Sequence, residues 1–172
     1  MDEKTLVVHG GGFHADDVFA SAVFVLVYGD GLKIVRSRDK SVIEKADFVA
    51  DVGGIYDASI GRFDHHQSGG AGSRANGVSY ASFGLVWKQF GEQLSGSRDI
   101  AEIIDKKLVQ FIDAGDNGMG EIKPFVEDIY PYTINHIFWS MEPTWVEGST
   151  EINKRFFEAV ELAKGILQRE IK

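Results

Sequence analysis

The amino-acid sequence predicts an α/β domain in which a parallel β-sheet is flanked by helices and is followed by a helical C-terminal half. Three observations predict this class. Short apolar runs alternate with helix-length segments over residues 5–64, and only helix-length segments follow from Val78 onward. The chain has 172 residues, of which 44% are hydrophobic and 26% charged. This size and composition are typical of one globular domain.

Four short runs are predicted strands, because each is rich in aliphatic or β-branched residues and ends at a polar or glycine-rich loop. They cover residues 5–8, 32–36, 48–50 and 62–64. Residues 15–28 and 41–46 are predicted helices, and the first of them is apolar on nearly every side before it stops at Gly29-Asp30-Gly31. Strands that are joined by helices pair in parallel.

Residues 67–77 are rich in Gly, Ser, Arg and Asn, which indicates a mobile loop. The helical half follows this loop. In the last segment of this half, apolar residues recur every three or four positions, so that the predicted helix is amphipathic, with one apolar face. The predicted helices cover residues 78–94, 100–114, 126–139 and 150–171. We expect them to pack on the sheet or on one of its edges.

Charge and composition exclude several classes of protein. The net charge of −8 argues against a general nucleic-acid coat, since phosphate binding needs a basic footprint. The absence of cysteine excludes a disulfide framework, a thiolate metal site and a cysteine nucleophile. The first residues lack the features of a signal peptide, and no apolar run approaches the roughly 20 residues of a spanning helix. We therefore expect a cytoplasmic protein without membrane contacts.

Histidine and aspartate are concentrated where predicted strands and one helix end. Because the carboxyl ends of parallel strands meet at one edge of the sheet, these side chains can converge. Crowded carboxylates raise one another's pKa, and a divalent cation removes that penalty. Imidazole and carboxylate without thiolate suit Mn²⁺, Zn²⁺ or Fe²⁺ better than Mg²⁺. The residues concerned are His9, His14, Asp16, Asp51, Asp64, His65, His66, Asp113 and Asp116.

Simpler explanations exist for individual residues. A single Asp after a strand is usually a turn residue or a helix cap, and Asp16-Asp17 can simply complement a helix macrodipole. We interpret His136 as a structural residue. Four residues of the helical half can form either a dimer surface or part of the core, and we favour the core. These are Phe138, Trp139, Met141 and Trp145.

Four stretches, in this order, resemble the signature motifs of one family. They are residues 8–17 (VHGGGFHADD), 51–57 (DVGGIYD), 62–67 (RFDHHQ) and 113–118 (DAGDNG). The family is an uncharacterised one, also called the melanocyte proliferating gene family or metal-dependent protein hydrolases. It belongs to the DHH phosphoesterase superfamily, with the RecJ-type exonucleases and the manganese inorganic pyrophosphatases. Eukaryotic members of the family are described as 3′–5′ RNA exonucleases.

The resemblance implies an α/β fold with a two-metal site, in which Asp51 bridges the metals. Asp113 remains an alternative to Asp116 as the last ligand. A carboxylate shared by two metals about 3.5–4 Å apart is typical of a hydrolytic centre. Two Mn²⁺ ions are expected, with Zn²⁺, Fe²⁺ or Mg²⁺ as alternatives. The implied ligands are His9, His14 and Asp51 for one metal and Asp16, Asp51, His65 and Asp116 for the other.

The metal-ligating residues predict a metal-dependent phosphoester hydrolase, and the resemblance implies one of the 3′–5′ exonuclease or oligonucleotide phosphodiesterase type. The resemblance also implies that His66 faces the substrate phosphate and that Asp64 orients the histidine pair, and we expect Arg62 or Arg74 to help neutralise the phosphoryl oxygens. The expected substrate is RNA or a short oligonucleotide. The alternatives are a phosphatase or pyrophosphatase for small molecules, and a non-catalytic module that binds metal or nucleotide.

The sequence departs from the superfamily pattern in two respects. His14 stands where the superfamily usually has Asp, which makes the site less negative and favours Mn²⁺, Zn²⁺ or Fe²⁺. Superfamily members also carry a second domain that closes over the substrate. Residues 1–172 are expected to form a single catalytic domain without that second domain. Either the protein is a minimal version, or a partner subunit, such as the second copy in a homodimer, supplies the lid.

Overall fold

The computed structural model describes residues 3–120 and 122–172. In these residues a sheet of five short strands is flanked by helices. The strands are β1 (Lys4–Val8), β2 (Leu32–Arg36), β3 (Phe48–Ala50), β4 (Tyr56–Asp57) and β5 (Arg62–Phe63). The helices are α1 (Ala15–Tyr28), α2 (Lys40–Lys45), α3 (Ser82–Ser95), α4 (Arg98–Ile104), α5 (Gln110–Asp116), α6 (Ile134–Trp139) and α7 (Ile152–Glu170). A π-helical segment, Asp105–Val109, joins α4 to α5.

The sheet confirms the predicted α/β class. Its strand order is β2-β1-β3-β5-β4, and the β1–β2, β1–β3 and β3–β5 pairs are parallel. β4 is the exception, since it pairs antiparallel with β5; with two residues it was too short to give a sequence pattern. The chain leaves β1 toward β2 on one side and reaches β3 on the other. The carboxyl ends of β1 and β3 therefore flank a topological switch point, where α/β sheets bind ligands.

Most of the core lies between one face of the sheet and helices α1, α3 and α7. Phe24 of α1 contacts Phe48 and Phe63 from the sheet and Phe90 from α3, with ring centroids 4.9 to 5.9 Å apart. The first ten residues of α1 are all buried, as its apolar sequence predicts. The other face of the sheet has a smaller cluster around Val7 and Val49, packed against α2.

The helical half matches the prediction in three of its four segments. The exception is the segment predicted over residues 126–139, where the helix is much shorter. Residues 126–133 are not helical, and α6 begins only at Ile134. Pro131 explains the difference, because proline lacks the N–H of a helix interior and disfavours helical conformation in the residue before it. In this half Phe138 is buried, as expected, but Trp139 and Trp145 are 52% and 95% exposed, so the expectation that these two tryptophans belong to the core is wrong. In the part of the chain that the structure describes, no helix combines the length and the apolar character needed to cross a membrane.

Residues 67–81 are tied to the helices by Arg74. Its guanidinium lies 2.7 Å from the carboxylate of Asp113 and 2.6 Å from that of Asp105, and it stacks on the ring of Tyr80. The Arg74 side chain is only 7% exposed, and that of Asp113 is fully buried. This differs from the expectation that Arg74 contacts substrate, because its charge is already matched by two carboxylates of the chain.

Replacing Arg74 by Met is expected to lower the free energy of unfolding by about 3–5 kcal/mol, because it leaves a buried carboxylate without its partner. The measurement is urea unfolding followed by circular dichroism. The matched control is Arg98→Met, since Arg98 is 78% exposed and pairs with Glu102 only at the surface; its effect should stay below about 1 kcal/mol. Equal effects of the two substitutions would contradict the structural role of Arg74.

Candidate metal centre

Three neighbouring strands deliver the polar residues that follow them to one edge of the sheet. His9 follows β1, Asp51 follows β3 and Asp64 follows β5. The two oxygens of Asp51 face different histidines: Oδ2 lies 3.2 Å from His9 Nε2, and Oδ1 lies 3.3 Å from His65 Nε2. Asp51 is 3% exposed. The expected convergence of His9, Asp51 and His65 is therefore present in the structure.

The backbone at Asp51 is in the left-handed region, with φ of 57°. Few residues other than glycine adopt this conformation, although Asp and Asn tolerate it better than most. Asp64 fixes the loop that follows, because its Oδ2 accepts the N–H of Gly54. Its Oδ1 accepts the N–H groups of His65 and His66 and lies 2.7 Å from His66 Nδ1. One buried carboxylate thus orients both the Asp51 loop and the histidine pair.

The start of α1 brings two more carboxylates into the cluster. Asp17 Oδ1 accepts the N–H of His14 at 2.7 Å, which caps the helix, and its Oδ2 lies 3.3 Å from His9 Nε2. Asp16 accepts the N–H groups of Ser82 and Phe83 at the start of α3. Both carboxylates are fully buried.

The end of α5 supplies Asp116. Its Oδ2 lies 3.1 Å from His65 Nε2, and its Oδ1 lies 3.9 Å from His14 Nδ1. Asp113 does not share this position. It accepts the N–H of Gly84 at 2.9 Å and pairs with Arg74. Of the two residues that the sequence left open, Asp116 is the one in contact with the histidines.

Three overlapping groups of residues could hold a metal ion. In each group the candidate ligand atoms lie within 4.8 Å of one another, among the residues that the structure describes. Asp51 belongs to two groups, and so does His65. The groups are His9, Asp17 and Asp51; Asp16, His65 and Asp116; and Asp51, Asp64, His65 and His66.

Two of the predicted site residues, His14 and Arg62, lie elsewhere than expected. The His14 side chain is 54% exposed and lies at the edge of the cluster, beside Asp116. Asp17 instead lies against His9 and Asp51, where His14 was expected. Sequence reasoning missed Asp17 because acidic residues in a first helical turn are commonplace. The sequence feature that could have indicated Asp17 is its place as the third residue of α1. An acidic side chain at that position accepts the backbone N–H of the N-cap residue, here His14, and so turns back toward the end of β1. Arg62 also lies apart, since its guanidinium donates to the carbonyls of Ala46 and Asp47.

The electrostatics of the cluster depend on charge pairing in a buried place. Burial and the charges of Asp116 and Asp51 raise the pKa of Asp16 well above its usual range, and burial raises the pKa of Asp17 to about 7. Burial acts in the same direction on Asp51, but the His65 and His9 imidazoles outweigh it and hold the pKa of Asp51 below its ordinary value. Burial lowers the pKa of His65, but Asp116 and Asp51 outweigh it and raise the pKa to about 11. Without a metal, protons on the imidazoles compensate the carboxylates.

The cluster fits a divalent cation. Buried polar atoms normally have hydrogen-bond partners, yet three atoms at its centre have none: Asp17 Oδ2, Asp51 Oδ1 and His65 Nε2. All three are atoms that bind metals in proteins. Cations held by the groups to which these atoms belong would satisfy the orphaned atoms and replace the compensating protons.

The chain is similar to known proteins over almost its whole length. A family model described as "Uncharacterised protein family (UPF0160)" matches residues 5–172. The chain is similar to "MYG1 protein" of Dictyostelium discoideum, with 35% identity over 94% of this chain and 54% of that protein. It is also similar to "MYG1 exonuclease" of Mus musculus, with 29% identity over 95% of this chain and 48% of that protein.

"MYG1 protein" of Chlamydia trachomatis is 32% identical over 96% of this chain and 53% of its own length. The chain thus spans about half the length of the curated relatives that it matches. No solved structure matches the chain. Because the family model matches residues 5–172, the comparisons confirm the family that the motifs indicated: the chain belongs to the uncharacterised protein family UPF0160, and the relatives named above carry the name MYG1.

Proposed function

We propose that this chain is a metal-dependent phosphoester hydrolase of the DHH phosphoesterase type that removes nucleotides from the 3′ end of RNA or short oligonucleotides. The observation that carries the proposal is the position of Asp51, one of whose carboxylate oxygens faces His9 and the other His65. A carboxylate in this position can serve two donor sets at once, as in two-metal hydrolases. The name of the mouse relative, an exonuclease, supports the substrate class.

In this proposal His9, Asp17 and Asp51 would hold one ion, and Asp16, Asp51, His65 and Asp116 would hold the other. His14 lies beside Asp116 and belongs to neither group of donors. Imidazole and carboxylate donors without thiolate favour Mn²⁺. Bound divalent cations lower the pKa of a water and stabilise charge on phosphoryl oxygens.

Two residues beside the metal ligands, Asp64 and His66, are proposed to position the substrate phosphate. Asp64 keeps His66 in a fixed orientation through the 2.7 Å contact with Nδ1. The His66 side chain is 60% exposed, so its other nitrogen is available to a substrate phosphate. With Nδ1–H donated to Asp64, His66 in its imidazolium form would donate a second hydrogen bond from Nε2 to a phosphoryl oxygen as charge develops there. Arg62 and Arg74 take no part, because their guanidinium groups bind carbonyls and carboxylates of the chain.

The direct test is hydrolysis of a 5′-labelled single-stranded RNA by the protein loaded with Mn²⁺. The expected products become shorter from the 3′ end, and EDTA abolishes the reaction. Hydrolysis of pyrophosphate alone would favour a phosphatase for small molecules. Stoichiometric Mn²⁺ binding without turnover of any phosphoester would favour a binding module and contradict the proposal.

Replacing Asp51 by Asn is expected to abolish metal-dependent hydrolysis and to lower the bound Mn²⁺ by at least about tenfold, because the amide cannot serve as an anionic bridge. The fold should persist, since Asn has the same shape and tolerates the left-handed backbone. Elemental analysis and circular dichroism measure the two effects. The matched control is Asp30→Asn at an exposed position in the turn after α1. Full activity of the Asp51 variant would refute the bridging role.

Replacing His66 by Ala is expected to leave the Mn²⁺ content unchanged and to lower kcat by about 10²–10³, the usual effect of removing one donor to a developing oxyanion. Steady-state kinetics and elemental analysis separate the two outcomes. Loss of metal from this variant would show that His66 is a ligand, as its membership in one of the three donor groups allows.

Metal affinity should rise with pH. At neutral pH the metal-free protein carries a proton on His65, whose pKa is about 11, and part of one on Asp17, whose pKa is about 7. Ligands must lose these protons before they bind a cation, so binding releases protons and tightens about tenfold per pH unit for each proton released. Titration calorimetry in buffers of different ionisation enthalpy between pH 6 and 8 counts the protons. An affinity for Mn²⁺ that does not vary with pH would contradict the proposed ligands.

A further inference from the structure

A small pocket opens beside the metal cluster. The proposed function assigns no ligand to this pocket. It has a volume of about 130 Å³ and lies between the start of α1, the end of α5 and helix α6. Its walls combine residues of the cluster with apolar side chains and one amide. They are formed by His14, Ala15, Asp16, Ile112, Gly115, Asp116, Asn135 and Trp139.

A second pocket of about 290 Å³ adjoins the first, because Gly115, Asn135 and Trp139 line both of them. It leads away from the cluster and is more apolar, with Phe111 and Met119 among its lining residues. We call the two pockets together the α6 groove. This groove offers an apolar surface next to a cation site. The two surfaces complement the flat base and the anionic phosphate of a nucleotide.

The indole of Trp139 is held in place although it is 52% exposed. Its ring packs edge-on against His136, with centroids 5.5 Å apart, and the His136 ring lies 5.2 Å from that of Tyr132. His136 Nδ1 accepts the N–H of Thr133 at 3.0 Å, which fixes the imidazole. A tryptophan supported in this way keeps a large aromatic surface available to the groove. Such surfaces stack on nucleobases.

Asn135 lines both pockets of the groove and brings an amide group to it. Its Oδ1 is buried and has no hydrogen-bond partner. A Cβ on Gly115 would lie 2.2 Å from Asn135 Nδ2, so the glycine leaves the room that this amide occupies. Burying an amide oxygen without a partner is unfavourable, and a ligand N–H at this point would satisfy it. The edge of a nucleobase carries such N–H groups.

We propose that the α6 groove binds the nucleobase of the nucleotide whose phosphate lies at the metal cluster. Trp139 stacks on the base, and Asn135 accepts a hydrogen bond from its edge. This inference rests on the proposed function, since it assumes a nucleotide substrate. Because every base has a π-face, the stacking contact does not select one base over another. The groove therefore fits an enzyme that removes successive nucleotides of any sequence.

The experiment compares two probes, adenosine and ribose 5-phosphate, in NMR titrations of the full chain with Mg²⁺ as a diamagnetic cation. The first probe carries a base without phosphate, and the second carries a phosphate without base. Trp139→Ala is expected to weaken adenosine binding by about tenfold or more, the usual effect of removing a stacking aromatic residue. It should leave the affinity for ribose 5-phosphate unchanged.

Two further variants act as controls. Trp139→Phe keeps a stacking ring and should retain most of the adenosine affinity. Trp145→Ala removes a tryptophan that is 95% exposed and lies outside the groove, so it should change neither affinity. Unchanged adenosine binding in Trp139→Ala, or equal losses in Trp139→Ala and Trp145→Ala, would overturn the proposal. So would a wild-type protein that binds no adenosine.

The outcomes separate this proposal from the proposed function. Adenosine binding that depends on Trp139, together with no binding of ribose 5-phosphate and no phosphoester hydrolysis, would retain the base site and reject the hydrolase. Hydrolysis of RNA by a protein in which Trp139→Ala leaves both affinities unchanged would retain the hydrolase and reject the base site.

Discussion

The structure depends on one buried contact, that of the Asp51 carboxylate with the imidazoles of His9 and His65. Carboxylates that are crowded in a buried place repel one another, and burial disfavours their charged form. Asp16 and Asp17 lie in the same cluster and carry this penalty in their raised pKa values. Positive charge must compensate it, either as protons on the histidines or as a cation. The cluster is thus stable only when protonated histidines or a bound cation supply positive charge beside its carboxylates.

The fold supplies this place through its topology. β1 lies between β2 and β3, so the chain diverges on the two sides of β1 and leaves a crevice at its carboxyl end. The loops at this edge are fixed by hydrogen bonds that backbone N–H groups donate to buried carboxylates, above all to the carboxylate of Asp64. Helix α5 adds Asp116, and α6 adds the groove beside it. The helical half therefore completes a site that the sheet begins.

Much of this arrangement could be predicted from the sequence. The alternation of strands and helices predicted a parallel sheet, and the rule for its carboxyl edge brought His9, Asp51 and His65 together. The sequence did not separate His14 from Asp17, because the two residues stand three positions apart at the start of α1, and positions three apart lie on the same side of a helix. The pairing of Arg74 with Asp113 joins residues far apart in the chain, so no local pattern indicates it. The late start of α6 had a local cause, Pro131, which its apolar neighbours obscured.

The cluster and the groove both lie within the residues that the family model matches. The central claim is that this cluster holds divalent metal, and anomalous scattering at the manganese absorption edge tests it most directly. Crystals of the Mn²⁺-loaded protein should show anomalous density enclosed by His9, Asp51 and His65. Manganese bound elsewhere on the chain, with no anomalous density among these three residues, would contradict the account.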